Sequence, residues 1–109
     1  MFELTLSSGT KIQVAQEDLE TTMSWTEAQN HSSSLMDGWR LPTTGELVWM
    51  FKELHLNGQG SFHETGYWSS AQFSEYEARL IIFNKFSTGS GTITKQHKAR
   101  IRLVRTVSA

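Results

Sequence analysis

The sequence predicts a single α+β domain, and three observations support this. Phe2, Leu4 and Leu6 alternate with polar residues, which is the period of a half-buried strand. Two later segments begin with the residue spacing of a helix capping box. The last third of the chain holds apolar, β-branched stretches separated by glycine-rich turns. At 109 residues, without a linker or repeat, the whole chain from 1 to 109 has the size of one domain.

The N-terminal segment is predicted to form a β-hairpin. The alternating strand over residues 2–6 is followed by Ser7-Ser8-Gly9, which is typical of a tight turn, and by a returning strand over residues 11–14. Residues 16–23 are polar and show no periodicity. We interpret them as a surface connection.

The first helix is predicted to begin after Ser24, because Ser24 and Glu27 have capping-box spacing. Its buried face is predicted from apolar residues at helical spacing, namely Trp25, Ala28, Leu35 and Met36. Asp37-Gly38 carries the glycine signal that ends a helix.

The second helix is predicted from the residues at its start. Pro42 fixes the approach of the chain, Thr43 is the expected N-cap, and Glu46 completes a second capping box. The buried face is predicted from the residues that follow at helical spacing: Leu47, Val48, Phe51 and Leu54. Asn57-Gly58 is expected to close the helix.

Four strands are predicted after the helices, over residues 67–70, 78–86, 92–95 and 99–107. Ile81, Ile82 and Phe83 follow one another directly, so 78–86 is expected to be a central strand buried on both faces. Residues 87–91, which contain two glycines, are interpreted as the turn before an edge strand.

Three of these segments, taken in order, resemble a known family. The segments are Gly38-Trp39-Arg40-Leu41-Pro42-Thr43, then Tyr67-Trp68-Ser69-Ser70, and finally Arg100 to Arg105. Over residues 24–106 the chain is similar to the small C-type-lectin-like domains at the C-terminus of bacterial collagen-like adhesins, a family long described as a domain of unknown function. A more distant similarity is to the sulfatase-modifying, formylglycine-generating enzymes, which share the Arg-Leu-Pro-Thr helix opening and the closing strand.

The resemblance implies a C-type-lectin-like fold, in which an antiparallel sheet from both termini carries two helices beside a smaller, loop-rich sheet. Charge distribution bears on this arrangement. Residues 1–37 hold six acidic residues against Lys11 alone, whereas residues 85–109 hold six basic residues and no acid. A free basic tail for nucleic acid or sulfated glycan would have this composition. We favour neighbouring terminal strands whose opposite charges pair.

The sequence lacks the residues that several classes of chemistry require. The chain has no cysteine, so disulfides, thiolate metal sites and the thiol chemistry of the formylglycine-generating enzymes are excluded. The four histidines lack close metal-ligand spacing. The calcium signatures of sugar-binding C-type lectins are absent, since Pro42 is the sole proline and no aspartate follows Asp37. We therefore expect no metal, no cofactor and no catalytic residue.

Composition and the N-terminus bear on location. Hydrophobic residues make up 38% and charged residues 19%, as in ordinary globular proteins, and no apolar run is long enough to cross a bilayer. Met1-Phe2-Glu3-Leu4 lacks the plan of a signal peptide. We expect a cytoplasmic protein, unless an export signal has been removed.

Arg40 and Glu46 are open to two interpretations. A guanidinium beside a carboxylate is a catalytic or anion-binding arrangement in some proteins. The resemblance implies instead that this segment is scaffold, with Arg40 packed under the second helix and bonded to Glu46 or to backbone carbonyls. We favour the scaffold interpretation.

The leading functional interpretation is a calcium-independent binding module that presents loops 57–66, 71–77 and 86–97 to a protein or glycan partner. The candidate contact residues are aromatic and charged side chains of these loops, with Trp49 added as an expected exposed aromatic of the second helix: Trp49, Phe62, His63, Glu75, Tyr76, Lys85, Phe86 and Lys95. Replacing Tyr76 or Phe86 by alanine is expected to weaken binding with little effect on stability.

Two alternative functions remain open. One is a structural subunit, encoded by a phage or mobile element, that associates with itself to form a homo-oligomer. The other is an enzyme of an unrecognised type. A flat aromatic patch around Trp49, Tyr76 and Phe86 would favour binding, and a two-fold interface of exposed strand edges would favour self-association. Membrane partners are not expected, and nucleic acid is less favoured than a protein or glycan.

The first prediction concerns calcium. A chelator should leave the melting temperature unchanged, and so should calcium added at matched ionic strength, because a ligand that binds only the native state must stabilise it. Differential scanning calorimetry measures both. A rise of several degrees with calcium, but not with an equal concentration of magnesium, would contradict the expectation.

Overall fold

The computed structural model describes residues 1–107, which form two helices and two three-stranded antiparallel sheets. The fold class is therefore α+β, as the sequence predicts. The elements are, in chain order, β1 (Phe2–Thr5), β2 (Lys11–Val14), α1 (Trp25–Ser34), α2 (Thr44–Glu53), a 3₁₀ turn (His55–Asn57), β3 (Gly66–Gln72), β4 (Glu77–Phe83), β5 (Thr88–Thr94) and β6 (Val104–Thr106). The strand orders are β1-β2-β6 and β3-β4-β5. Among residues 1–107, no helix is both long and apolar enough to cross a bilayer.

The first sheet joins the two ends of the chain. β1 and β2 form the predicted hairpin, and β2 also pairs with β6, so that Ile12 lies opposite Thr106 and Val14 opposite Val104. The prediction that the hairpin and the closing strand share a sheet is confirmed. The opposite charges expected to pair across these strands do not do so at Arg105. The side chain that Arg105 bonds on β2 is the neutral amide of Gln13, at 2.7 Å.

The closing strand is shorter than the predicted span of residues 99–107. Residues 99–103 run between the two sheets and share their backbone groups among several neighbours. Arg100 accepts a hydrogen bond from the amide of Trp68 and donates to Gly66, whereas Ala99 exchanges hydrogen bonds with Met23. Because the partners change every few residues, a regular strand begins only at Val104.

The second sheet contributes to two separate cores. One cluster packs around α2 and the hairpin, and the other around α1 and the C-terminal segment. Successive residues of a strand point to opposite faces. Tyr67 and Ile81 accordingly enter the first core, while Trp68 and Leu80 enter the second.

Both capping boxes form as predicted. The hydroxyl of Thr43 accepts from the amide of Glu46 at 3.1 Å, and the Glu46 carboxylate accepts from the amide of Thr43 at 2.8 Å. Ser24 and Glu27 make the same exchange at the start of α1. The helical path after Thr43 continues through the 3₁₀ turn and stops at Gly58, whose φ of 72° suits glycine.

The predicted end of the first helix is wrong. α1 ends at Ser34, Leu35 lies beyond it at the surface, and Met36 is 82% exposed. The hydroxyls of Ser32 and Ser34 donate to backbone carbonyls three residues back, which weakens the last turn. The buried face is completed by Ser32 instead.

The predicted turn at residues 87–91 is also misplaced. β4 ends at Phe83, the turn lies over Asn84–Ser87, and the amide of Asn84 donates to the Ser87 carbonyl at 2.9 Å. Gly89 and Gly91 belong to β5, where they face Ile82 and Leu80. Because Gly89 has no side chain to cover its neighbour, Ile82 is 37% exposed, and β4 is not fully buried on both faces.

The second prediction tests the helix start. Thr43→Ala should lower the free energy of unfolding by about 1 kcal/mol, because the amide of Glu46 loses its acceptor. Urea unfolding followed by circular dichroism measures this. Thr21→Ala is the matched control, since Thr21 is exposed in an irregular segment and should change stability by less than about 0.5 kcal/mol. Equal unfolding midpoints for the two variants would contradict the capping role.

Candidate functional site

A buried network around Arg102 ties together segments that are far apart in sequence. Arg102 is fully buried. Its Nε donates to Oδ1 of Asp18 at 2.9 Å, and its terminal nitrogens donate to the carbonyls of Ala15 and Gly60. The guanidinium carbon lies 4.1 Å from the ring centre of Phe62. This set, which we call the Arg102 network, places a charged group in the interior with partners on every side.

The second carboxylate oxygen of Asp18 extends this network to β3. It accepts from the hydroxyl of Tyr67 at 2.8 Å and lies 3.0 Å from Nδ1 of His63. The Tyr67 hydroxyl also accepts from the backbone amide of His63. Burial, with the Asp18 carboxylate beside it, raises the pKa of Tyr67, so the phenol stays neutral and donates. Each group is occupied by the protein itself, which suits a role in holding loops in place.

Arg40 and Glu46 form a second saturated pair. Both terminal nitrogens of Arg40 donate to the Glu46 carboxylate at 2.8 Å, and they also reach the Leu41 carbonyl and the Thr106 hydroxyl. Burial acts to raise the pKa of Glu46, but hydrogen bonds from Arg40 and Thr43 outweigh it and lower that pKa. Hydrogen bonding to Glu46 raises the pKa of Arg40. The geometry favours the scaffold interpretation of this pair.

Trp49, expected to be an exposed aromatic, is half-buried. Its indole nitrogen donates to the carbonyl of Thr5 at 3.0 Å, so the side chain ties α2 to β1. A cleft of about 450 Å³ lies beside it. Its lining is rich in hydroxyls and includes the Arg40 pair: Leu6, Ser7, Ser8, Thr10, Arg40, Thr43, Gly45, Glu46, Trp49 and Thr106.

The structure separates the predicted contact residues into four regions. Trp49 lies on α2, and Phe62 and His63 belong to the Arg102 network. Lys85 and Phe86 lie in the turn after β4, whereas Glu75, Tyr76 and Lys95 lie around the turn before it. The seven residues of β4 separate these two turns by roughly 20 Å. A single flat patch of Trp49, Tyr76 and Phe86 therefore does not form.

The turn between β3 and β4 carries two exposed aromatic rings on an ordered backbone. Phe73 is 55% exposed and Tyr76 is 73% exposed. The amides of Phe73 and Ser74 donate to the Glu77 carbonyl, and the Ser74 hydroxyl accepts from the amides of Tyr76 and Glu77. The rings are thus held out on a turn whose own hydrogen bonds fix its shape.

Two basic residues contact this part of the hairpin, and one of them lies beside a ring. The guanidinium carbon of Arg79 lies 5.3 Å from the ring centre of Phe73. The Lys95 amide donates to the Tyr76 carbonyl, and its ammonium bonds Gln72 at 2.6 Å and lies over the ring of Trp25. We call Phe73, Tyr76, Arg79 and Lys95 the turn surface. Phe73 and Arg79 are not among the contact residues predicted from the sequence, although Phe73 lies inside the 71–77 loop. Arg79 shares a face of β4 with the buried Ile81 and Phe83, so strand alternation does not predict its exposure.

The comparisons with known proteins add no relative. No protein-family model matches the chain, and no curated protein matches it. Among residues 1–107, no group of three or more histidine, aspartate or glutamate side chains is placed to hold a metal ion.

The third prediction tests the Arg102 network. Asp18→Asn should lower the free energy of unfolding by about 3–5 kcal/mol, because the buried guanidinium loses the carboxylate that it is paired with. Chemical unfolding measures the loss. Glu17→Gln is the matched control, since Glu17 is exposed and adjacent and carries the same charge. If the two variants are equally stable, Arg102 does not depend on Asp18.

Proposed function

We propose that the protein is a non-catalytic, calcium-independent binding module of C-type-lectin-like type, and that its turn surface contacts a protein partner. The order of the motifs over residues 24–106 supports the lectin-like part of the proposal. So does the arrangement of a sheet from both ends of the chain, two helices and a second small sheet. The observation that carries the binding role is the exposure of Phe73 and Tyr76 on a hydrogen-bonded turn.

The turn surface has the properties that favour recognition. Burying an aromatic ring against a partner removes a large apolar area from water. The turn backbone is already ordered by its hydrogen bonds, so little conformational entropy is lost on binding. Tyrosine and arginine are also enriched among the residues that dominate binding energy at protein interfaces. Tyr76 and Arg79 supply both types within one hairpin.

A protein partner fits this surface better than a glycan. The turn carries both signs of charge close together, with Glu75 and Glu77 beside Arg79 and Lys95. It lies at the tip of a hairpin and does not line a cleft. A glycan would more readily enter the cleft beside Trp49, where hydroxyl groups and an indole are combined. In that cleft, however, Arg40 and Glu46 are already bonded to each other.

The absence of catalysis is part of the proposal and has a physical basis. A general acid or base must reach a proton on the substrate. Asp18 and Glu46 are instead bonded to arginines and to neighbouring protein donors. Their hydrogen bonds serve the fold, and they leave the exposed turn as the part of the protein best suited to outside contact.

The fourth prediction tests the turn surface directly. With benzoylphenylalanine at position 76, ultraviolet light should produce a covalent adduct in cells that naturally express the chain. The same probe at position 86 is the matched control, since Phe86 is 79% exposed at the other end of β4. Adducts are identified by mass spectrometry. Tyr76→Ala should change the free energy of unfolding by less than about 0.5 kcal/mol.

The outcomes separate the alternatives. A protein adduct that is specific to position 76 supports the proposal, whereas an adduct with a glycan replaces the protein partner by a carbohydrate. Adducts at position 86 alone would place the contact at the opposite turn. No adduct at either position would leave the proposed surface without a role and would refute it.

A further inference from the structure

β5 forms an open edge of the second sheet. All seven of its residues pair with β4 on one side, and no strand within residues 1–107 pairs on the other. The opposite edge, β3, is covered by the segment around Arg100. Proteins usually protect open edges with charges, proline or a bulge. The β5 sequence, Thr-Gly-Ser-Gly-Thr-Ile-Thr, contains no charge and no proline, and its pairing with β4 is continuous.

The register identifies which backbone groups of β5 point outward. At the two ends of the β4–β5 ladder, Lys95 donates to Tyr76, and Asn84 donates to Ser87. Hydrogen-bonded positions alternate along an antiparallel pair. The backbone N–H and C=O groups of the odd-numbered β5 residues therefore point toward β4. The outward N–H and C=O groups are those of Thr88, Ser90, Thr92 and Thr94.

We propose that this edge pairs with the same edge of a second copy, antiparallel about a two-fold axis at Gly91. Thr88 then lies opposite Thr94 of the second copy, and Ser90 lies opposite Thr92. These are the residues whose backbone groups point outward, so each pair exchanges two hydrogen bonds. Their side chains share one face, where Thr–Thr and Ser–Thr pairs are favourable.

The other face of the edge is complementary to itself in shape. In the same register, Ile93 of the second copy lies opposite Gly89, and Gly91 lies opposite Gly91. Gly89 has no side chain, and next to it Ile82 is 37% exposed. The second copy's Ile93 therefore covers Ile82 across the glycine. The two-fold axis provides this contact twice.

The helices leave room for the pairing. A two-fold axis perpendicular to the sheet keeps corresponding helices of the two copies on the same face. α2 packs mainly against β3 and β4, and α1 against β3. The first turns of α2 approach β5 across a cleft of about 470 Å³, which Thr44, Gly45 and Val48 line together with Ser90 and Gly91. Lys95, just beyond the strand, points back over Trp25 and Gln72 and away from the edge. Charge and bulk are thus both kept clear of the contact.

The pair should be weak, because seven residues of strand edge form an interface below the usual size for a stable complex. We expect a dissociation constant on the order of 10–100 µM. Sedimentation velocity from about 10 µM to 1 mM should therefore show monomers giving way to dimers. Ser90→Pro removes an outward N–H without breaking the ladder to β4 and should leave a folded monomer throughout.

Cysteine cross-linking tests the register itself. The chain contains no cysteine, and no atom lies within 4 Å of a Cβ built at Gly91. Gly91→Cys should form a disulfide dimer on mild oxidation with diamide, because the axis places the two cysteines face to face. Thr94→Cys is the matched control, since its symmetry mate is six residues along the strand, roughly 20 Å away.

Two results would overturn the proposal. One is a protein that stays monomeric up to about 1 mM and whose Gly91→Cys variant cross-links no faster than the Thr94→Cys control. The other is a dimer that the Ser90→Pro variant still forms, because another surface would then hold the copies together. Neither result bears on the turn surface, since positions 76 and 86 lie outside the paired strand.

Discussion

Burying the guanidinium of Arg102 obliges the chain to bring an acceptor to each of its nitrogens, because an unpaired buried charge costs several kcal/mol. The acceptors come from Ala15, Asp18 and Gly60. Asp18 then binds Tyr67 on β3, so an irregular N-terminal segment, the loop after the helices and the second sheet are fixed by one charge. The first two of these segments, residues 15–22 and 58–65, contain no helix or strand of their own. Their shape is set by what Arg102 requires.

The two cores account for how a small hairpin presents exposed rings in a fixed place. Trp68 and Tyr67 are adjacent in β3, yet one packs on α1 and the other on the hairpin side of the molecule. Many antiparallel sheets pack on the core through one face and expose the other face to solvent. Here both faces of β3 and β4 are anchored, so the turn that joins them is held from two directions. Phe73 and Tyr76 are exposed on a support that does not need them for its own stability.

Local signals in the sequence were enough to place the helix starts, because a capping box lies within four residues. Contacts between residues far apart in the chain leave no such local signal. Asp18 is predicted to lie in a surface connection, because nothing near it in the sequence indicates that Arg102 needs a carboxylate. Glycines predict a turn over residues 87–91, but Gly89 and Gly91 lie in β5, and a hydrogen bond between Asn84 and Ser87 closes the turn. The same limit applies to the candidate contact residues, because the sequence does not show that the length of β4 separates Phe86 from Tyr76 and Lys95.

The pairing of β2 with β6 has a consequence for synthesis on the ribosome. Gln13 and Arg105 are neighbours in the first sheet but lie 92 residues apart in the chain. The central strand of that sheet consequently lacks its second partner until residues 104–106 have been translated. During that time Ile12 and Val14, which end fully buried, stay open to water or to other nascent chains. Contacts of such long range also slow folding, because the loop must close before they form.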